Sequence, residues 1–230
     1  MKKGLFVVIL FLGLCLSLYS QNVQLHYDIG DGRGYLTSTV EMFKPDKHGS
    51  TFFFIDMDYY VGDVEGISMA YWEIARAHKF WDAPFAFHTE YNGGFGQFNI
   101  GEPDNLAYII NSSFINGVEY SWNAADFSKG FTLQVLHKYI QDKHDASFQL
   151  TGVWYVNMLD GKFSFTGFAD FWREDWVFGN NTTKFIFLSE PQLWYNFNKN
   201  FSLGGEVGLG NNFVLEGFHV MPTVGVKNNF

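Results

Sequence analysis

Acidic and aromatic residues recur two positions apart at several places in the sequence. Examples are Asp56-x-Asp58, His88-x-Glu90 and Asp170-x-Trp172. Side chains two residues apart on a β-strand point to the same side, so each pair would share one face. Such pairs can bind a metal ion, and carboxylates beside aromatic rings can line a wet surface that contacts polar solutes. Which of these two roles applies depends on the secondary structure that contains the pairs.

The run from Phe163 to Trp172 shows what these elements are. Apolar or small residues occupy every second position, and mostly polar residues occupy the positions between them. The run from Phe148 to Asn157 alternates in the same way, and Asp160-Gly161 between the two runs suits a tight hairpin turn. Strands of about 9 to 11 tilted residues can cross a bilayer, whereas soluble strands are mostly about 5 or 6 residues long. The pattern therefore predicts a long antiparallel hairpin of membrane-spanning length.

Twelve alternating segments, each bounded by Gly, Asn, Asp or Pro, follow one another along the chain. They cover residues 22–29, 34–43, 51–60, 67–78, 85–92, 106–122, 130–140, 147–159, 162–173, 184–197, 201–210 and 218–230. An even number is what closure of an antiparallel bacterial barrel requires. We predict an all-β fold, a 12-stranded antiparallel transmembrane β-barrel, as a single domain over residues 21–230. Within segment 106–122, Phe114-Ile115-Asn116-Gly117 breaks the period and predicts a bulge.

Residues 1–20 are typical of a signal peptide. Lys2 and Lys3 form a positive end, and Gly4 to Leu18 is an uncharged apolar run. Cleavage near Ser20 would also remove Cys15, the only cysteine, so we expect no disulfide. No other stretch reaches the ~18 apolar residues of a membrane helix. We expect export to the outer membrane of a Gram-negative cell, with outer-membrane lipid around the barrel.

Composition narrows the choice of partners. The formal net charge is -9 and no basic cluster interrupts it, which argues against a nucleic-acid partner. Aromatic residues make up 20% of the chain, and 24 glycines accompany only 5 prolines, a balance that favours a β-rich chain with an aromatic outer surface.

The lengths of the connections predict the orientation. The fifth connection, Gly93 to Asn105, and the ninth, Glu174 to Thr183, are the longest, whereas the eighth and tenth are among the shortest. Outer-membrane barrels have short periplasmic turns and longer external loops, so this order places the N-terminus in the periplasm.

Catalytic and cofactor-binding alternatives are weaker. His48-Gly49-Ser50 is similar to the His-x-Ser pairing of outer-membrane phospholipases, but it falls in a connection predicted to be periplasmic, away from the outer leaflet where that chemistry acts. Gly94-Phe95-Gly96 lacks the strand-to-helix context of a phosphate loop. Isolated pairs such as Asp56-x-Asp58 and His88-x-Glu90 are common in wet pores. We therefore expect no enzyme, no cofactor and no metal site.

The last strand carries a further sign. The chain ends on Phe230, with Gly225 five residues before it, and this ending resembles the assembly signal of outer-membrane barrels, although Asn228 replaces the expected aromatic residue. Phe230 is therefore the expected contact for the barrel-assembly machinery.

Over most of its mature length the chain resembles the Tsx-like nucleoside-specific channel-forming proteins, in a poorly characterised Bacteroidetes branch. The stretches that carry the resemblance are Tyr35 to Phe43, Tyr71 to Arg76 and Gly167 to Asp175. The resemblance implies an outer-membrane channel for nucleosides.

Parity alone predicts which side chains face the inside of the barrel. If the apolar face of each strand meets lipid, the inner face is acidic, polar and aromatic. It carries His26, Asp28, Tyr35, Thr37, Thr39, Glu41, Phe52, Phe54, Asp56, Asp58, Tyr60, Tyr71, Glu73, His88, Glu90, Asn92, Glu119, Gln149, Tyr155, Asn157, Phe168, Asp170, Trp172, Glu190, Trp194, Glu206 and Lys227.

Two interpretations of this inner face remain open. In the first, the barrel is a channel for passive diffusion of small polar solutes that prefers cations or neutral molecules, because carboxylates outnumber inward basic groups. In the second, a salt-bridged interior plugs the barrel, whose role is structural or partner-binding, and the aromatic rings merely fill a narrow interior. For the channel, the predicted solute contacts are Phe54, Asp56, Asp58, Glu73, Glu90, Asp170 and Trp172.

Overall fold

The computed structural model describes residues 20–101, 104–143 and 147–230, and within these ranges the regular secondary structure is entirely β. The strands are β1 (Ser20–Asp28), β2 (Leu36–Asp46), β3 (Gly49–Tyr59), β4 (Ile67–His78), β5 (Phe85–Gly101), β6 (Asp104–Asn123), β7 (Lys129–Ile140), β8 (Ser147–Met158), β9 (Phe163–Phe178), β10 (Asn181–Ser189), β11 (Gln192–Asn196), β12 (Phe201–Asn211) and β13 (Phe218–Asn229). No helix in these ranges is long and apolar enough to span a membrane. Residues 1–19 of the predicted signal peptide lie outside the described residues.

The sheet closes on itself because β1 pairs with β13. Their antiparallel register runs from Asn22 opposite Asn229 to Asp28 opposite Thr223. The other strands pair with their sequence neighbours, except that β10 and β11 both lie between β9 and β12. These two strands therefore occupy one position, and thirteen strands form a barrel of twelve. The predicted 12-stranded antiparallel barrel is confirmed.

A proline divides the shared position of β10 and β11. Pro191 has no backbone N–H to donate to a neighbouring strand, so the ladder is interrupted there. Bonds on both sides keep the barrel closed: the N–H of Glu190 donates to the Phe168 carbonyl at 3.1 Å, and the N–H of Val207 donates to the Pro191 carbonyl at 3.0 Å.

The two faces of the barrel differ as the alternation predicts. On β7, Leu133 and Val135 face outward and are 55% and 66% exposed, whereas Leu136 is 2% exposed. Many large apolar side chains share this outward exposure, which is typical of a surface that meets lipid. We call the inner face, together with the space that it encloses, the lumen.

Three local predictions are wrong. The fifth and ninth connections are not loops, because β5 continues to Gly101, β6 begins at Asp104, and only Gly179 and Asn180 separate β9 from β10. Their backbones pair into long hairpins instead. Phe114 to Gly117 pairs regularly with β5, and the bulge lies just before it, where Asn111 and Ser112 stand opposite Gly93.

The connections divide between the two ends of the barrel. We call the end with Ser20 and Phe230 the terminal end, and the opposite end the loop end. The connection between β8 and β9 at the terminal end is a tight turn with positive φ at Leu159, Asp160 and Gly161. The hairpin turn predicted from Asp160-Gly161 is therefore present. The connection between β12 and β13, residues 212–217, lies at the loop end and is called the β12–β13 loop below.

Candidate functional site

Every predicted solute contact lies on the lumen face of its strand. Phe54, Asp56 and Asp58 follow one another on β3, Glu73 and Glu90 lie on β4 and β5, and Asp170 and Trp172 lie on β9. The ring centroid of Phe54 is 6.0 Å from that of Tyr71, its neighbour on β4. The fold therefore brings residues distant in sequence to one interior surface.

The lumen aspartates accept hydrogen bonds from threonines directly opposite them on the neighbouring strand. Thr37 donates to Asp58 at 2.8 Å, and Thr39 donates to Asp56 at 2.5 Å. On the other side of the barrel, Thr151 donates to Asp170 at 2.5 Å. All three pairs are register partners, and directly opposite side chains are close enough to bond. These hydroxyl groups orient the carboxyl groups and add no positive charge beside them.

Glu73, Glu90 and Asp170, called the acidic cluster below, lie near a lysine. The Lys138 ammonium on β7 interacts electrostatically with all three carboxylates. It donates a hydrogen bond of 2.8 Å to Gln149 Oε1. Tyr71 and Asn92 donate to the same oxygen of Glu73, at 2.7 and 3.1 Å. The cluster therefore sets three carboxyl groups against the Lys138 ammonium, and one of the three, Glu90, also contacts His88.

Glu190 connects the two acidic regions. Its side chain interacts electrostatically with Asp56 and Glu206 as well as with Asp170 and Glu73. Glu190 lies directly before Pro191, at the break between β10 and β11. Carboxylates from β3, β4, β9 and β12 thus face one another across the same interior.

His88 forms the most complete ion-pair group of the lumen. Its Nδ1 lies 2.9 Å from Glu119 Oε2, and its Nε2 lies 2.9 Å from Glu90 Oε2. The His88 side chain is 4% exposed, and those of Glu90 and Glu119 are 8% and 10% exposed. Carboxylates on both ring nitrogens favour the doubly protonated imidazolium, since both nitrogens must then donate.

Trp172 narrows the lumen towards the loop end. Its side chain is 6% exposed, and its Nε1 donates to Glu174 Oε2 at 3.0 Å. Phe213 of the β12–β13 loop packs edge-to-face on it, with ring centroids 5.9 Å apart. This loop therefore folds inward and covers Trp172.

Trp194 lies on the lumen face towards the terminal end. It is 0% exposed, and its Nε1 donates to Gln192 Oε1 at 2.9 Å. The His26 ring meets it edge-on with centroids 5.5 Å apart, and the Lys227 ammonium lies 4.4 Å from its ring centroid. Neighbouring side chains thus enclose the Trp194 ring at this level of the barrel.

The metal and catalytic alternatives gain no geometric support. In residues 20–101, 104–143 and 147–230, no three His, Cys, Asp or Glu side chains form a group that could hold a metal ion. His48 lies in an exposed turn between β2 and β3, where its backbone N–H donates to Asp46 at 2.7 Å.

The list of inward residues predicted from parity contains one wrong residue and omits two basic residues that face the lumen. Tyr60 is 65% exposed, because its positive φ of 57° ends β3 and turns the side chain away from the lumen. Lys138 faces the lumen, and the parity of β7 predicts this orientation, but the list of inward residues above does not include it. Arg33, from the connection between β1 and β2, forms an ion pair with Asp28 and lies 4.7 Å from the Tyr35 ring centroid. Nothing in a loop's sequence pattern predicts that inward orientation.

Comparisons with known proteins support the barrel fold and a family assignment. Residues 20–230 match the family model described as "Domain of unknown function (DUF5020)". No curated protein matches the chain. A solved structure called NanC porin matches with a TM-score of 0.59 at 12% identity, over 91% of this chain and 100% of that one. A second, KdgM porin, matches with a TM-score of 0.52 at 13% identity, over 92% of this chain and 99% of that one.

At these identities the likeness to the two porins shows a shared fold alone. The family description does not mention the Tsx-like channels, so that resemblance stays a prediction.

Proposed function

The chain belongs to the DUF5020 family, and from its barrel interior we propose that it is an outer-membrane channel for passive diffusion of small polar solutes. It acts as a channel rather than as an enzyme, and nucleosides are the solutes that we propose. The names of NanC porin and KdgM porin, whose fold it shares, agree with a channel role.

The observation that carries the proposal is the chemistry of the lumen carboxylates. Asp56, Asp58 and Asp170 accept hydrogen bonds from threonine hydroxyls, which are neutral donors and bring no positive charge beside the carboxyl groups. Charged carboxylates are costly to bury without compensation, so an interior of this composition favours water. A water-containing interior inside a closed barrel with an apolar outside is the physical basis of a channel.

The lumen chemistry suits a neutral solute with a flat ring and polar edges. Phe54 and Trp172 supply aromatic faces, and Asp56, Glu73, Glu90 and Asp170 supply acceptors for hydroxyl and amino groups. A nucleoside combines a flat base with sugar hydroxyls, so it can use both kinds of contact. Each contact must be weak, because a channel has to release its solute.

The outer surface supports the proposed location in the outer membrane. Leu133, Val135 and Val118 are each more than half exposed and face away from the lumen. In an aqueous environment such a surface would promote aggregation, whereas in a bilayer it would contact lipid tails. In this proposal Phe230, whose side chain is 62% exposed, is available to the barrel-assembly machinery.

A second candidate function is a plugged barrel with a structural or partner-binding role. The complete burial of Trp194 favours it, as does the burial of Trp172 beneath Phe213. The two candidates differ in whether these rings move aside for a solute.

Uptake into liposomes tests the channel and its solute separately. Liposomes with the parent protein should take up labelled uridine faster than labelled glucose, and both faster than empty liposomes. Trp172→Ala should reduce the preference for uridine, and Asp58→Leu should slow uridine entry. The matched control is Trp81→Ala, since Trp81 is 64% exposed between β4 and β5. Equal entry of uridine and glucose would refute nucleoside preference alone, whereas entry no faster than into empty liposomes would favour the plugged barrel.

A further inference from the structure

A cavity of about 540 Å³ lies at the terminal end of the barrel, among the ends of β8, β9, β11 and β13. Its lining includes three lysines, Lys162, Lys199 and Lys227, and one carboxylate, Asp160. The cavity is therefore basic, although the chain has a formal net charge of -9 and the acidic cluster occupies the lumen beyond it. Its volume lies within the range of about 300–1,000 Å³ that is typical of small-molecule sites.

Lys227 is the central cation of this cavity. It faces the lumen from β13, and its register partners Ser202 and Gln24 are 0% and 2% exposed. Its ammonium lies 4.4 Å from the Trp194 ring centroid, and none of the ion pairs found among the described residues includes it. Glu41 interacts with it electrostatically, but that carboxylate already accepts a hydrogen bond from Asn22 at 2.9 Å. A partly desolvated ammonium of this kind attracts an anion.

The rest of the wall presents amide and hydroxyl groups held in place by their neighbours. Asn196 Nδ2 donates to the Gly161 carbonyl at 2.7 Å and to Ser164 at 2.9 Å, and Asn196 Oδ1 accepts from Ser202 at 2.6 Å. Thr166 lines the same wall. Both N–H groups of Asn196 are used within the wall, so they fix its shape. The remaining lone pair of Asn196 Oδ1 and the hydroxyl group of Thr166 are left for the hydroxyl groups of a ligand, and ordering them costs little on binding.

We propose that this cavity binds a small hydroxylated anion, with the carboxylate of the ligand against the Lys227 ammonium and its hydroxyl groups against the asparagine and threonine wall. Lys162 and Lys199, on the turns at the rim, attract the anion into the cavity. The site is separate from the proposed solute contacts, all of which lie elsewhere on the lumen wall. Binding does not require passage through the barrel, so it can be measured without transport.

Glucuronate and glucose test the proposal, because they differ in charge at a single carbon. Titration calorimetry on the folded protein in detergent micelles, at constant ionic strength and neutral pH, should show glucuronate binding at least tenfold tighter than glucose binding. Lys227→Gln should weaken glucuronate binding about tenfold, whereas Lys227→Arg should preserve most of it. The matched control is Lys129→Gln, which removes the same charge at the same end but outside the cavity lining, and which should change the affinity less than twofold.

Two further variants keep the test decisive if Lys227→Gln does not fold. Lys162→Gln and Lys199→Gln lie on exposed turns, and together they should weaken glucuronate binding several-fold. Equal affinity for the two sugars, no glucuronate binding, or the same loss in Lys129→Gln as in the cavity variants would each overturn the proposal.

Discussion

The ammonium of Lys138 lies 4.4 Å from the ring centroid of Trp172. This contact joins a cation from β7 to an aromatic ring from β9, and the same ammonium interacts with Asp170, Glu73 and Glu90. A cation over an aromatic face contributes about 0.5–2 kcal/mol, depending on how far it is desolvated. Lys138 therefore both reduces the negative potential of the lumen and holds Trp172 in place.

The first prediction concerns ion selectivity. In a planar bilayer the parent should prefer K⁺ over Cl⁻, because the acidic cluster has three carboxyl groups and Lys138 supplies one positive charge. Lys138→Met should raise the permeability ratio about two- to five-fold and Asp170→Asn should lower it by a similar factor, since one charge near the permeation path is worth ~0.5–1 kcal/mol. The measurement is the reversal potential across a KCl gradient.

Glu65→Gln is the control for ion selectivity, since Glu65 is exposed in the connection between β3 and β4. It should leave the permeability ratio close to that of the parent. Anion selectivity in the parent would contradict the assignment of an acidic, open lumen.

The second prediction concerns the β12–β13 loop. Phe213→Ala should raise single-channel conductance, because the Phe213 ring covers Trp172 from the loop end. Leu215→Ala is the matched control in the same loop, since Leu215 is 52% exposed, and it should leave conductance unchanged. The same conductance in all three proteins would mean that Phe213 does not obstruct the path.

The third prediction concerns the outward face. Val135→Lys should lower the free energy of unfolding in phospholipid vesicles by about 2–4 kcal/mol, because the new charge would lie against lipid tails. The control, Ala125→Lys, places the same charge in an exposed turn between β6 and β7 and should have little effect. Urea titration followed by tryptophan fluorescence measures both. An unchanged free energy of unfolding in Val135→Lys would indicate that water, and not lipid, surrounds the barrel.

The alternation of residues was enough to predict the twelve strand positions and the lumen face of every proposed solute contact. Side-chain parity is a local property of a strand, so it survives folding unchanged. Lys138 was missed because its nearest inward neighbours on β7, Leu136 and Ile140, are apolar, which weakens the contrast between the two faces of that strand. Phe213 and Arg33 were missed because their orientation depends on how loops fold back, which has no period in the sequence.

The most direct test of the channel is current through a planar bilayer that contains the folded parent protein. The folded state is checked first by a difference in gel mobility between boiled and unboiled samples in detergent. An open channel should give discrete upward steps in K⁺ current as single barrels insert. Folded protein that inserts into the bilayer and produces no steps would contradict a continuous water-filled path, and the plugged barrel would then explain the buried Trp194 and Trp172.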